Sequence, residues 1–340
     1  FTILFGVITV GSSIALDNAS AINGAFNIPV QKVVIDENAE IKSYYDSNYF
    51  DVEDLRKASE DIVEEVMSEG LVMLKNDNNT LPLKENATIS LYSANSFNFV
   101  YTGGGSSGAN AKAVKKATTL KSGLEKSGFT VNKDLWDFYS SHEEYWQGTD
   151  FSGNQSQNKS YRTKDAPWSE LPSSKNNKAD AAIVVLSRSA GENRDMFESK
   201  NEVLDDSNNY LSLSNNEKDI LTNLKKLKDN GTIKKIIVLM NSANQIQCDF
   251  VDNNEYSIDS LLWCGTTGST GTIAIGKVLA GKVNPSGNLS TTFFYKHSAN
   301  PVYYNIGATE YGNASNITSY RNGENKYYVA YQEGIYNGYK

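Results

Sequence analysis

The strongest chemical feature of the chain is a glycine–glutamate step at the end of an apolar run. Ala181 to Leu186 (AAIVVL) passes directly into SRSAGENRDM, residues Ser187 to Met196. Gly191 lets the backbone turn sharply just before Glu192. A carboxylate presented on such a loop can serve as a general acid or base. Arg188, Arg194 and Asp195 are near it in sequence. A solvated loop with an Arg–carboxylate pair fits the same residues. A second feature is the glycine-rich loop Gly103 to Gly108 (GGGSSG). It has neither the Lys-Ser/Thr ending of a P-loop nor the G-x-G-x-x-G spacing, and no acidic residue follows at the ribose position. A tight loop near a ligand, or a plain turn, suits it better than a phosphate cradle.

Composition narrows the field. The chain has 340 residues with 32 Lys and Arg against 40 Asp and Glu, a net charge of −8. A charge of that sign without a basic cluster argues against nucleic-acid binding. Two cysteines, Cys248 and Cys264, cannot make a disulfide framework and read as buried thiols. Two histidines, His142 and His297, stand in unrelated polar contexts and carry no assigned role. No metal site and no cofactor is expected.

The elements that must hold Glu192 follow from periodicity. Asp51 to Gly70 reads as an amphipathic helix and Leu71 to Leu74 as a short apolar run. Thr88 to Tyr92, Ala181 to Leu186, Lys234 to Met240 and Ile258 to Trp263 read as strands; Thr119 to Ser127, Asn215 to Lys228 and Gly271 to Ala280 read as helices. Continuous apolar strands alternating with helices predict an open, mostly parallel α/β sheet sandwiched by helices. Ligands in such sheets bind beyond the carboxyl ends of the strands. That directs attention to the residues just after LYS, VVLSR, VLMNS and LLWCG. Asp137 to Asp180 is polar and aromatic, and reads as a long irregular excursion: a surface loop tied down by its aromatics, or a lid or sugar-stacking wall built from Tyr139, Tyr145, Trp146, Tyr161 and Trp168.

Four regions result. Residues 1–16 carry no charge and, though shorter than the roughly 20 residues of a spanning helix, read as the remnant of a membrane anchor or signal peptide. Residues 17–50 read as a linker, 51–300 as the α/β sandwich, and 301–340 as an aromatic-rich connection toward a further domain. The expected location is extracytoplasmic, either secreted or membrane-anchored through the N-terminal segment.

Several segments together resemble the family-3 glycoside hydrolases. They are Glu69 to Asn76 (EGLVMLKN) with LPL at Leu81, the GGGSSG loop with the helix after Thr119, Val185 to Glu192, and Gly281 to Leu289 (GKVNPSGNL), which is similar to the G-x-x-N-P-S-G-K/R-L signature. Tyr331 to Tyr339 (YQEGIYNGY) resembles the segment leading to that family's closing loops. The resemblance implies the family's second domain, an α/β sandwich that bears the acid/base glutamate, while a (β/α)8 barrel bears the nucleophile. With the sandwich first, it is similar to the inverted-order bacterial members, whose barrel comes later in the chain. Glu192 is then the acid/base. Ser106, Ser107, Arg188 and Asp195 are the expected substrate contacts. Asn193 stands where the family often has glycine, and Asn288 where it has lysine or arginine. The implied partners are a β-glucoside or related oligosaccharide and the chain's own downstream barrel. A non-catalytic carbohydrate-binding module is the alternative.

Overall fold

The computed structural model describes residues 2–19, 22, 48–49, 51–103, 117–145, 165–188, 210–300, 303, 309–316, 327–328, 330–331 and 334. The chain falls into two units, Phe1–Asp51 and Val52–Lys340. The first contains helix α1 (Thr2–Asp17), which has no acidic residue in its first turn and no basic residue in its last. Among the described residues, no helix is long and apolar enough to cross a membrane.

The second unit is built on a six-stranded sheet. In chain order it contains α2 (Val52–Gly70), β1 (Val72–Asn76), β2 (Thr88–Tyr92), α3 (Leu120–Lys126), β3 (Thr130–Val131), α4 (Lys133–Ser141), β4 (Ala179–Arg188), α5 (Asn215–Asp229), β5 (Ile233–Ser242), β6 (Ser260–Trp263) and α6 (Thr272–Leu279). The spatial order is β1-β6-β5-β4-β2-β3. Within this sheet the edge strand β1 runs antiparallel to its neighbour, while β2, β3, β4, β5 and β6 pair in parallel. A separate antiparallel pair, β7 (Thr309–Glu310) and β8 (Tyr327–Tyr328), lies in the C-terminal region.

The strand period of two sorts the apolar residues into two cores. Ala182, Val184 and Leu186 of β4, with Ile236, Val238 and Met240 of β5, face Ile220, Leu221 and Leu224 of α5. Ala181, Ile183 and Val185, with Ile237 and Leu239, face Leu120 and Leu124 of α3 and Ile275 and Val278 of α6. Both faces are covered, so these strands read as unbroken apolar runs. Strands β4 and β5 extend past the apolar stretches because Ala179↔Ile233 and Arg188↔Ser242 still pair at the ends.

Glycine sets two close approaches. A Cβ on Gly123 would lie 2.5 Å from the Thr272 carbonyl oxygen, and one on Gly276 would lie 2.5 Å from the Gly123 oxygen, so α3 and α6 cross backbone to backbone. In the GKVNPSGNL signature, a Cβ on Gly287 would lie 2.6 Å from the Gly70 oxygen, and the Gly287 N–H donates to Leu71 O at 3.1 Å. That segment staples the end of α2 to the start of β1.

The expected irregular excursion from Asp137 to Asp180 is corrected at both ends. Its first residues belong to α4, which Asn132 caps and which buries Leu135 and Tyr139 one turn apart. Short 3-10 turns occupy Glu143–Tyr145, Trp168–Glu170 and Ser173–Asn176. Three of the proposed wall aromatics pack inward instead: Tyr139 is fully buried, Tyr145 nearly so, and Trp168 stacks on buried Tyr92 with centroids 5.9 Å apart. Trp146 and Tyr161 lie outside the described residues.

Candidate functional site

The carboxyl ends of β2, β4, β5 and β6 share one edge of the sheet, and buried polar side chains knit them together. Asn241 ends the apolar part of β5 and is wholly inaccessible. Its Nδ2 donates to Val100 O at 2.9 Å and Gly265 O at 2.7 Å. Its Oδ1 accepts from Val100 N–H at 2.7 Å and Ser187 Oγ at 3.0 Å. One amide thus fixes the loop after β2, the end of β4 and the turn after β6. Ser242, the next residue, donates through Oγ to Arg188 O at 3.2 Å and accepts through its carbonyl from Trp263 Nε1 at 2.7 Å.

Arg188 is the last residue of β4 and is 1% exposed. Its Nη1 and Nη2 donate to Glu217 Oε1 and Oε2 at 2.8 and 2.7 Å. Its remaining N–H groups reach Tyr210 O (2.6 Å), Ser212 O (2.7 Å) and Ser187 O (2.8 Å). A guanidinium has five N–H donors, and these five acceptors match them in number. Glu217 also accepts from the Ser214 N–H at 2.8 Å, while Ser214 Oγ accepts from the Glu217 N–H at 3.1 Å. That reciprocal pair is a capping box on α5.

The end of β2 is a third polar centre. Ser93 adopts a positive φ of 79° and donates its N–H to Tyr139 OH at 3.1 Å. Asp165 Oδ1 accepts from the Ala94 and Ala166 N–H groups at 3.0 and 2.8 Å. Asp165 Oδ2, Asn95 Nδ2 and Ser96 Oγ are buried with no hydrogen-bond partner among the described residues. Burial pushes the Asp165 carboxyl up to about 7, against the pull of the Ser93 side chain and the Ala94 N–H.

These positions resolve part of the sequence expectation. Arg188 stands at the carboxyl end of β4, turned into a protein-lined ion pair. Glu192, Asp195, Ser106 and Ser107 lie outside the described residues, in 189–209 and 104–116. The described residues on either side, Arg188 and Tyr210, Gly103 and Ala117, bound those segments. Cys248 and Cys264 are buried free thiols, as expected. His142 stacks on Phe138 at 4.1 Å, and its Nδ1 lies 2.8 Å from the Phe138 carbonyl. Burial lowers the His297 pKa. Among the described residues, no group of three or more His, Cys, Asp and Glu is placed to hold a metal. Sequence reasoning does not single out Glu217, Asn241 or Asp165. Glu217 has a readable signal, the S-x-x-E pattern Ser214 to Glu217 before an apolar helix; Asn241 and Asp165 have none, because their partners are distant in sequence.

A family model described as the glycosyl hydrolase family 3 C-terminal domain matches residues 71–339. A β-glucosidase of Ruminococcus albus is 31% identical over 242 residues, which cover 68% of this chain and 22% of that protein. β-Glucosidase A of Butyrivibrio fibrisolvens is 27% identical over 304 residues, covering 81% of this chain and 31% of that protein. The chain therefore spans less than a third of either relative. The structure of β-glucosidase 3B from Thermotoga neapolitana in complex with glucose matches with a TM-score of 0.63 and 25% identity, covering 84% of this chain and 36% of that one.

Proposed function

The chain belongs to glycosyl hydrolase family 3, whose C-terminal domain it carries, and from that premise we propose that it supplies the acid/base half of a retaining β-glucosidase-like enzyme. Glu192 is the acid/base in this reading. In this reading the nucleophile comes from a barrel domain of the same full-length protein. The supporting observation is that β4, buried on both faces, ends with Arg188 at the carboxyl edge of a parallel sheet, where such sheets bind ligands, four residues before Glu192 in sequence. The family match runs through that segment, and relatives named β-glucosidases make a β-glucoside the expected substrate.

The chemistry follows from retention. The barrel carboxylate attacks the anomeric carbon while Glu192 gives its proton to the leaving oxygen. Glu192, now ionised, then takes a proton from the water that releases the sugar. The two carboxyl groups of a retaining site stand about 5–5.5 Å apart. Glu192 must hold its proton near neutral pH, so its surroundings in the assembled site must disfavour the ionised form.

In the full-length protein, Glu192→Ala should abolish cleavage of glycosides with poor leaving groups far more than of activated aryl glycosides, and azide should restore the latter. Equal loss on both without azide rescue would remove Glu192 from the role. A wild-type protein that binds sugars but cleaves none would instead be a carbohydrate-binding module. We also propose an extracytoplasmic location, supported by the charge-free run from Phe1 to Leu16. Activity confined to the cytosolic fraction would contradict it.

A further inference from the structure

We propose that Arg188 and Glu217 form a positioning clamp that holds the two ends of the Glu192-bearing segment together, and that Arg188 does not touch substrate. The inference rests on the acid/base reading of Glu192. The segment 189–209 departs from Arg188 and returns at Tyr210. One guanidinium reaches both ends: it is part of the departing strand, and it donates to the carbonyls of Tyr210 and Ser212 on the return at 2.6 and 2.7 Å. Its fork meets both oxygens of Glu217. Glu217 is at the same time the third residue of α5 and part of its cap. The clamp therefore ties the exit of β4, the chain at Tyr210 and Ser212, and the start of α5 into one hydrogen-bonded unit.

The residue types fit this task. A planar guanidinium can satisfy two carboxylate oxygens and two backbone carbonyls in fixed directions, which an ammonium cannot. Ion pairs this deeply buried contribute little net stability compared with apolar side chains of similar volume, and specifying one arrangement is among their attested uses. A general acid is sensitive to such placement: a displacement of about 1 Å costs on the order of 100-fold in rate. The Arg188 donors are matched by protein acceptors, which leaves its side chain buried away from any sugar.

The test uses the full-length protein. Arg188→Lys keeps the charge and loses the fork; Glu217→Gln keeps the shape and weakens the pair, and serves if the first variant does not fold. The clamp predicts a loss on the order of 100-fold in kcat for an alkyl β-glucoside. For a dinitrophenyl β-glucoside, kcat/KM should fall only a few-fold, and KM should be little changed. Proteolytic cleavage within 189–209 should accelerate by more than the fall in global stability of the variant accounts for. Equal losses on both glycosides with unchanged cleavage would overturn the clamp, and so would a rise in KM alone, the mark of a substrate contact. Glu192→Gln is run in parallel. If it shows leaving-group dependence and the clamp variants do not, only the clamp fails. If Glu192→Gln shows none, the acid/base reading fails and the clamp with it.

Discussion

The two ends of the same sheet use charge in opposite ways. At the amino end, carboxylates at the strand starts pair with lysines, one exposed and one half-buried. Asp180 on β4 accepts from the Thr88 N–H at 2.9 Å and from Lys234, whose side chain is 70% exposed. Asp259, just before β6, accepts from the Ile236 N–H at 2.8 Å and from Lys228. At the carboxyl end the Arg188–Glu217 pair is inaccessible, with side chains 0% and 2% exposed. Asn241 is equally buried and makes four hydrogen bonds. Solvent can replace a lost partner at the exposed Asp180–Lys234 pair and not at Arg188–Glu217. The polar groups at the amino end finish strands; those at the carboxyl end fix the directions in which loops leave.

That contrast sets the sizes of mutational effects. The largest belongs to Glu217→Ala, which leaves the Arg188 guanidinium buried without a counter-charge. Loss of about 3–5 kcal/mol is expected in urea denaturation; a change under about 1 kcal/mol would show that water enters the pair and the contrast is overstated. Asn241→Ala comes next. It strands the Val100 N–H and two carbonyls, and the cost should be about 3 kcal/mol, since each buried orphan is worth roughly 1–3.

Asp165 sharpens the comparison through pH. Its folded pKa, about 7, lies above the ordinary 3.8. The native state therefore holds a proton that the unfolded state has released. The associated stability is full below pH 3.8 and is lost as pH rises through 7. Asp165→Asn should remove that slope from a stability–pH series. A slope of the opposite sign would mean that Asp165 is ionised and hydrogen-bonded in the fold. The smallest effect is expected at the amino end. Asp180 is held below its ordinary range chiefly by its hydrogen bond with Lys234, yet Asp180→Asn should change stability by less than about 1 kcal/mol, because the pair is solvent-screened.

The sheet is legible in the sequence because burial on both faces writes itself as unbroken apolar runs. Thr88 to Tyr92 is delimited there as it stands in the fold, and AAIVVL and KKIIVLM mark the two central strands. Helix α4 is obscured by aromatic residues that read equally as loop anchors. Its alternative sign is the Asn132 cap with Leu135 and Tyr139 on one face. The two-residue strand β3 is too short for any periodicity. At the site, locating the carboxyl edge is enough to find the strand end and Arg188. The partner of Arg188 stays hidden, because 29 residues separate it from Glu217 and only the fold brings them together.

The central claim is that this domain presents Glu192 as the proton donor. The most direct measurement is the pH dependence of kcat/KM for an unactivated phenyl β-glucoside, whose leaving oxygen needs a proton, in the full-length protein, wild type against Glu192→Gln. The donor must be protonated to act, so wild-type activity should fall on the alkaline side as Glu192 ionises. In Glu192→Gln the residual activity should run flat through that range. An alkaline limb that persists in the variant at the same pH would place the proton donor elsewhere.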